Sequence, residues 1–486
     1  MNHCATFDAI IVGSGAGGAA AAHKLAHAGL RVALVEKGER LPLDGSTLDF
    51  RRVVHDGVFK SREAWLDNRG RRFYPEEYFN VGGKTKWYGA ALLRYGSREF
   101  SAEPEYQCSG WPITEDELLP YYTEAEGLLR IRHFAVESDL ERILDALAQR
   151  APGWRREALP LGLSAQILEH PAEARHFDGF ASVAGFKADG QTAFLEPLAR
   201  LDNLRLLTGQ AVVELIGAPD DPTRIAGVRL GDGSELHAGA VLLAAGALHS
   251  PRLLQAYLQA TGLNSRLPCA PNVGRFLKYH LLTAVIGLAT TEMTDLIRKT
   301  QLILNDRLPH SSVQPLGFDA ELISTLIPRV VPGSVARLLG RHAYGFFLQT
   351  EDGAHADNRV IAASPESGGL PVVDYDASRT PVAAAEHGRL VRSFKFALAR
   401  TGMIAFSERV GLAGTAHVSG TLTAGSDPKT SVVDSLGQVH GMNGVFVVDG
   451  SILPRSSRVN PSLTIYAWAL RTAEHLAGRL KVPHTG

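Results

Sequence analysis

Only three cysteines occur in 486 residues, Cys4, Cys108 and Cys269, and no two of them form a C-x-x-C pair. That excludes a zinc knuckle or a disulfide framework as the organiser of the fold, and no metal site is expected. Neither charge is in excess. The 50 Lys and Arg face 51 Asp and Glu, for a formal net charge of -1. No basic field is left for phosphate backbones, which argues against a nucleic-acid partner. No run approaches the ~20 uncharged apolar residues that a membrane span requires. The amino terminus has no basic leader, no extended apolar core and no twin arginine, so a cytoplasmic location is expected. Internal repeats, low-complexity tracts and flexible linkers are missing too. The 45% hydrophobic and 21% charged content is that of a globular chain with a large core.

What is present begins near the amino terminus. Phe7 to Val12 is a short apolar strand, Gly13-Ser14-Gly15-Ala16-Gly17-Gly18 follows it, and Ala19 to Ala28 has helical character. Strand, G-x-G-x-x-G and helix in that order form a dinucleotide-binding fingerprint. Gly13 permits the tight turn, Gly15 lets backbone N–H groups approach a pyrophosphate, and Gly18 lets the helix pack close to the strand. A second strand, Leu30 to Val35, ends at Glu36, eighteen residues after Gly18. An acid there accepts hydrogen bonds from adenosine ribose hydroxyls and disfavours a 2′-phosphate, which leaves FAD or NAD.

The Gly83-Lys84-Thr85 triplet superficially offers a triphosphate loop, but the upstream glycine that the spacing demands falls on Tyr78. Gly82 and Gly83 followed by Trp87 and Tyr88 instead suit backbone brought against a flat ring system. Asn203–Leu207, Ala211–Ile216 and Val241–Leu248 read as strands, the last running through Ala245 and Gly246 toward a helix opened by Ser250-Pro251. Near the carboxyl end come His417-Val418-Ser419-Gly420-Thr421, a strand over Val445–Val448 ending in Asp449-Gly450, and Asn460-Pro461-Ser462-Leu463-Thr464. A last helix follows from Ile465 to about Leu476, with Ile465, Ala469, Leu470, Ala473 and Leu476 at helical spacing.

This ordered set resembles the glucose–methanol–choline (GMC) flavoprotein oxidoreductases. The resemblance touches the N-terminal fingerprint, Gly82-Gly83, Gly246 to Pro251, Asn272-Val273-Gly274-Arg275 and the region from His417 to Leu476, so it spans both ends and the middle of the chain. It implies an α/β, Rossmann-like FAD-binding domain assembled from 1–125, 200–280 and 411–486. An α+β substrate domain of 126–199 and 281–410 is implied beside it, built on an antiparallel sheet above the isoalloxazine. Ala343–Gln349, Arg359–Ala363 and Pro371–Tyr375 supply strand-like material for that sheet, followed by a helix over Val382–Ala399.

The implied activity is oxidation of an alcohol, whose hydride leaves for flavin N5 while a base takes the hydroxyl proton. By resemblance His417, in H-x-x-G-T, is that base and Asn460, in N-P-x-x-T, hydrogen-bonds the substrate oxygen. The residues expected at the cofactor are Gly13, Gly15, Ala16, Gly18, Glu36, Lys37, Gly82, Gly83, Trp87, Tyr88, Val213, Ala245, Asp449, Gly450, Asn460, Pro461 and Thr464. The start of the last helix is expected to bring positive dipole to the flavin's pyrimidine edge. Some relatives link FAD covalently through a histidine in the Gly82-Gly83 segment. This segment has none, so FAD is expected to be held non-covalently. Many relatives carry Asn where this chain has Tyr88.

The Trp111–Tyr122 run and the short chain are similar to the bacterial branch of the family that acts on sugars and polyols, so a sugar, polyol or glycoside hydroxyl is the expected target. The alternatives are a non-sugar alcohol, non-redox lyase chemistry on the same fold, or FAD binding without catalysis. The electron acceptor (oxygen, a quinone or a redox protein) is left open. Leu322–His342 carries Arg329, Arg337 and Arg341 with no acid, and reads as a lid or packing helix, with contact to a membrane, an acidic partner or an anionic substrate as the other reading.

Overall fold

The computed structural model describes residues 6–325 and 332–481. Cys4 and Arg329 lie outside these.

The short apolar runs assemble into one five-stranded parallel sheet in the order Val445–Val447, Val241–Leu243, Ala9–Val12, Val32–Val35 and Leu204–Leu207. The first four are buried at every position, as expected of strands covered on both faces. One face carries the helices Ala16–His27 and Ser462–Lys481, which also pack on each other. The other face is covered by a smaller sheet of Val212–Ala218, Asp221–Leu230, Glu235–Ala238 and Thr6–Phe7. The run from Phe7 to Val12, expected as one strand, divides at Asp8. The Asp8 carboxylate accepts the Arg31 N–H at 2.7 Å and pairs with its guanidinium, and the chain changes sheets there.

The turn after Ala9–Val12 depends on absent side chains. Gly13 has φ +102°, a Cβ on Gly18 would lie 1.8 Å from the Gly13 carbonyl oxygen, and one on Gly17 would lie 1.8 Å from that of Val448. A Cβ on Gly15 would meet nothing within 4 Å. The last helix begins at Ser462 and runs to Lys481, beyond the Ile465–Leu476 stretch expected. It is enclosed almost all round, which is why an apolar stripe alone understated its length.

A second, six-stranded sheet is wholly antiparallel, in the order Ile404–Arg409, Leu281–Leu288, Ala343–Thr350, Ser311–Pro315, Gln301–Asn305 and Trp154–Ala158. Its side chains alternate between faces. Val285, Val313, Phe346 and Leu348 pack beneath the helices Ser138–Arg150 and Pro381–Arg400, whose Leu140, Ile143, Leu144, Leu147, Leu390, Phe394, Ala397 and Leu398 complete that core. Leu282, Gln314, Phe347 and Gln349 face the opposite way and line a cavity over the parallel sheet.

Of the three runs expected in this sheet, only Ala343–Gln349 joins it. Arg359–Ile361 and Val372–Asp374 pair with Trp65–Asp67 and Arg72–Phe73 in a separate four-stranded sheet. Val360 and Val373 bury there against Trp65, Leu277 and Tyr279, so these short strands have a core of their own. The segment Gly190–Leu195 turns back onto the helix Ala16–His27, with Phe194 stacked on Tyr466 at 4.8 Å.

The glycine contacts separate two substitutions. Gly18→Ala should destabilise the protein by about 1–3 kcal/mol, because overpacking against the Gly13 backbone outweighs the roughly 1 kcal/mol that alanine gains over glycine in a helix. Gly15→Ala should leave the urea midpoint of cofactor-free protein nearly unchanged. Equal midpoints for the two variants would contradict this packing.

Candidate active site

The cavity, about 1110 Å³, opens at the carboxyl ends of the parallel strands, where Val12-Gly13, Val35-Glu36, Ala244-Ala245 and Asp449-Gly450 all reach it. Open α/β sheets bind ligands at this edge. The volume exceeds the ~300–1,000 Å³ usual for a drug-sized ligand, leaving room for a long cofactor and a substrate.

At one end lies Glu36, buried, accepting from Ser14 N–H at 2.9 Å, Ser14 Oγ–H at 2.6 Å and Gly38 N–H at 2.9 Å. Burial raises its pKa, and these hydrogen bonds only partly oppose the rise. The Ser14 hydroxyl oxygen in turn accepts the Gly82 N–H at 3.0 Å. Gly82 and Gly83 have φ of +87° and +54°, and a Cβ on Gly83 would lie 3.1 Å from the Gly15 Cα. The two glycine-rich turns are therefore clasped together. Lys37 pairs with Glu63 and sits 4.0 Å over the Phe79 ring, while Val213 forms an exposed rim.

Along the middle, Trp87 donates its indole N–H to Asn80 Oδ1 at 2.9 Å and stacks on Tyr78. Tyr88 donates to the Ala188 carbonyl at 2.7 Å. Asp449 is buried, and its oxygens accept from Gly246 N–H, Ser250 Oγ–H and both donors of Ser451. It ties the ends of two parallel strands together as it reaches the cavity.

At the far end His417 and Asn460 line the same space. The His417 Nδ1 lies 2.8 Å from His280 Nδ1. Burial first, then the proximity of His280, Lys299 and Lys84, holds the His417 pKa well below the usual histidine value. Gln314 donates to Asn460 Oδ1 at 2.5 Å, and among the described residues nothing accepts from the Asn460 amide. Above them Lys299 and Asp178 form a buried pair at 2.8 Å, seated directly on Gly89, where a Cβ would lie 2.2 Å from Asp178 Oδ1. Phe318, Phe347, Leu282 and Gln349 complete the roof.

Most of the residues expected from the sequence meet in this cavity. Gly18, Gly82 and Thr464 do not line it. Gly18 packs helix on strand, Gly82 acts from behind through Ser14, and Thr464 Oγ1 is engaged by the Tyr122 hydroxyl at 2.7 Å. One helical step of about 100° separates Thr464 from Ile465, which does face the cavity. The Leu322–His342 stretch contributes the helices Ala320–Thr325 and Gly333–Arg341, with Leu322 buried near Trp87 and Leu338 exposed. Asp178, Lys299, Gln314, Gln349, Phe318, Phe347 and His280 went unnoticed in the sequence. Alternation along 343–350 was the available signal for Phe347 and Gln349, whereas nothing local connects Asp178 to Lys299.

The glycine cradle at the start of the helix Ala16–His27, open above Gly15, and the buried acid at the end of the next strand fit a dinucleotide. Comparison with known proteins agrees. A family model described as FAD dependent oxidoreductase matches residues 8–295, and one described as GMC oxidoreductase matches residues 354–469. The chain is 30% identical to the 6'''-hydroxyparomomycin C oxidase of Streptomyces lividus, covering 98% of this chain and 92% of that one. It is 28% identical to the paromamine 6'-oxidase of Streptomyces fradiae, covering 99% and 93%. Its fold is similar to that of pyridoxine 4-oxidase from Mesorbium loti, with TM-score 0.72 and 19% identity over 96% and 98% of the two chains.

The buried histidines make stability depend on pH. Burial lowers the pKa of His249, His280 and His417 and pushes His387 down to about 4. Each then takes its proton in the unfolded chain near pH 6.5 before it does so in the folded one. The stability these histidines contribute is complete above pH 6.5 and falls as the pH drops below it, by up to about 1.4 kcal/mol per pH unit for each histidine. Followed by NMR in cofactor-free protein, the His387 ring should stay neutral from pH 7.5 to 5, and its protonation near pH 6.5 would contradict a neutral buried imidazole.

Proposed function

This chain belongs to the GMC oxidoreductases, whose FAD-dependent oxidation of alcohols it shares, and from that premise we propose that it oxidises a hydroxyl of a sugar-like substrate with His417 as base. The observation that carries the reading is that His417 and Asn460 line one cavity and are tied together through His280 and the Ser457 carbonyl, three residues before Asn460, with amide, charged and aromatic side chains lining the same cavity. Bound FAD supplies the oxidant, accepting hydride from the carbinol carbon. His417 takes the hydroxyl proton at Nε2, the ring nitrogen that His280 leaves free. Its lowered pKa keeps it unprotonated at neutral pH, ready to accept. Asn460, with Oδ1 held by Gln314, directs its N–H groups at the substrate oxygen. Gln314, Gln349, Lys299 and Asp178 recognise further hydroxyls, and Phe318 and Phe347 cover the ring's C–H face. The oxidase names of the two Streptomyces relatives point the same way.

In this reading Gly13, Gly15 and Ala16 hold the pyrophosphate, Glu36 the ribose, and Val213 the adenine rim. Asp449, Gly450 and Pro461 flank the rest of the cofactor. FAD is held non-covalently, since no histidine lies in the segment from Tyr78 to Ala91. The cofactor-binding body is 1–125, 200–280 and 411–486, with Gly190–Leu195 packed against it, and the roof belongs to the remainder.

Acid precipitation should release intact FAD into the supernatant, and yellow polypeptide would refute non-covalent binding. Glu36→Ala should weaken FAD retention while sparing the reductive rate of reconstituted enzyme; unchanged retention would mean that the acid serves only Ser14 and Gly38.

His417→Ala should stay yellow while anaerobic flavin bleaching slows by roughly 10²–10⁴-fold. Asn460→Ala should cost about 1–3 kcal/mol. The wild-type rate should be level from pH 7 upward and fall only below pH 6.5, because the His417 pKa is depressed. A panel of sugars, amino sugars and long-chain alcohols identifies the substrate class. Bleaching by long-chain alcohols alone would overturn the sugar-like reading, and wild-type bleaching by yellow His417→Ala would overturn the base.

A further inference from the structure

The ring nitrogens around His417 form a chain whose proton positions follow from one fixed acceptor. His280 Nε2 lies 2.8 Å from the carbonyl oxygen of Ser457, which can only accept. His280 therefore carries its proton on Nε2. Its Nδ1 then holds a lone pair, and that nitrogen is the one 2.8 Å from His417 Nδ1. A hydrogen bond across this gap requires the proton on His417 Nδ1.

We propose that His280 is a positioning residue that fixes the tautomer of His417, so that the Ser457 carbonyl, acting through the His280 imidazole, leaves the Nε2 lone pair of His417 bare at the cavity. The proposal deepens the reading of His417 as base and rests on it. When Nε2 takes the substrate proton, the Nδ1–H donor belongs to an imidazolium and its bond to His280 becomes charge-assisted, which stabilises the product of the transfer.

Two further observations support the chain. Ser457 has φ +63°, a left-handed conformation that a non-glycine residue adopts at a cost. It is held there by donation of its N–H to Glu351 at 3.1 Å and of its hydroxyl to Glu99 at 3.1 Å. These two bonds hold the backbone that presents the carbonyl to His280. In addition, burial keeps both rings neutral: Lys84 and Lys299 act against protonation of His417, and burial of His280 outweighs the Ser457 carbonyl, Glu351 and the Ser456 carbonyl, which favour its protonation. A doubly protonated His280, which would reverse the order of donors, is therefore disfavoured.

The test uses holoenzyme labelled with ¹⁵N in the histidine rings. At pH 7.5 His417 should show a protonated Nδ1 and an unprotonated Nε2, and His280 a protonated Nε2. His280→Leu, which removes the acceptor, should let His417 populate the other tautomer and should slow anaerobic flavin reduction by about tenfold or more, bounded by the 10²–10⁴-fold that the base itself is worth. Its pH profile should shift with it. His280→Asn, which keeps an acceptor near the Nδ1 position, should restore most of the rate and the Nδ1–H tautomer. A wild-type His417 protonated on Nε2 overturns the proposal, and so does a His280→Leu enzyme with unchanged tautomer and rate. Should His280→Leu not fold, the wild-type spectrum and the Asn variant decide alone. The expected spectrum in wild type, together with full activity in His417→Ala, would keep the relay and discard the base reading.

Discussion

The buried pair between Arg455 and Glu351 holds the two halves of the site in register. Glu351 directly follows the roof strand Ala343–Thr350, and Arg455 lies in the loop that leads to Asn460 and the last helix. The guanidinium grips both carboxylate oxygens at 2.8 and 2.7 Å, and it also donates to the carbonyls of Arg98 and Ser101 and to Glu103. Burial alone would raise the Glu351 pKa, but the bonds from Arg455 and His310 hold it at about 2. Such a pair adds little over a well-packed apolar substitute, yet removing one partner costs about 3–5 kcal/mol because a bare charge is left inside. Its value here is geometric. Through the Ser457 N–H it fixes the loop that delivers a carbonyl to His280 and an amide to the cavity.

Around this anchor the site is formed by two sheets with different side-chain patterns. The parallel sheet is apolar on both faces and offers only its carboxyl edge, where glycine-rich turns, Glu36 and Asp449 line the cavity. The antiparallel sheet spends one face on the helices Ser138–Arg150 and Pro381–Arg400 and presents the other, with Gln314, Phe347 and Gln349, to the cavity. In the proposed reading, cofactor recognition lies largely with the backbone of glycine-rich turns, and substrate recognition with the alternate side chains of a roof.

That division explains what was legible in the sequence. Turn chemistry is local, so the strand, G-x-G-x-x-G, helix and acid order reads directly, and so do the motifs carrying His417 and Asn460. The helix expected over Val382–Ala399 is found at Pro381–Arg400 because its buried positions follow a three- and four-residue rhythm. The roof was far less legible. Short runs such as Arg359–Ala363 and Pro371–Tyr375 have the composition of strands, but composition does not say which sheet they join. The Asp178–Lys299 pair spans 121 residues, and His280 gains its meaning only from the Ser457 carbonyl, whose direction depends on a buried ion pair elsewhere in the chain. Thr464 stood in a matching motif yet faces Tyr122, because a motif does not set the rotation of the helix it begins.

On the proposed reading, the cavity's far end holds an alcohol against His417 and Asn460 while the cofactor fills the remainder. A crystal structure of the FAD-loaded protein with a slowly turned-over or non-reactive sugar tests it most directly. The sugar's hydroxyl oxygen should lie about 2.6–3.2 Å from His417 Nε2, within reach of the Asn460 amide, with Gln314 still on Asn460 Oδ1. A sugar bound away from both residues, or a His417 ring turned so that Nε2 no longer faces the cavity, would contradict it.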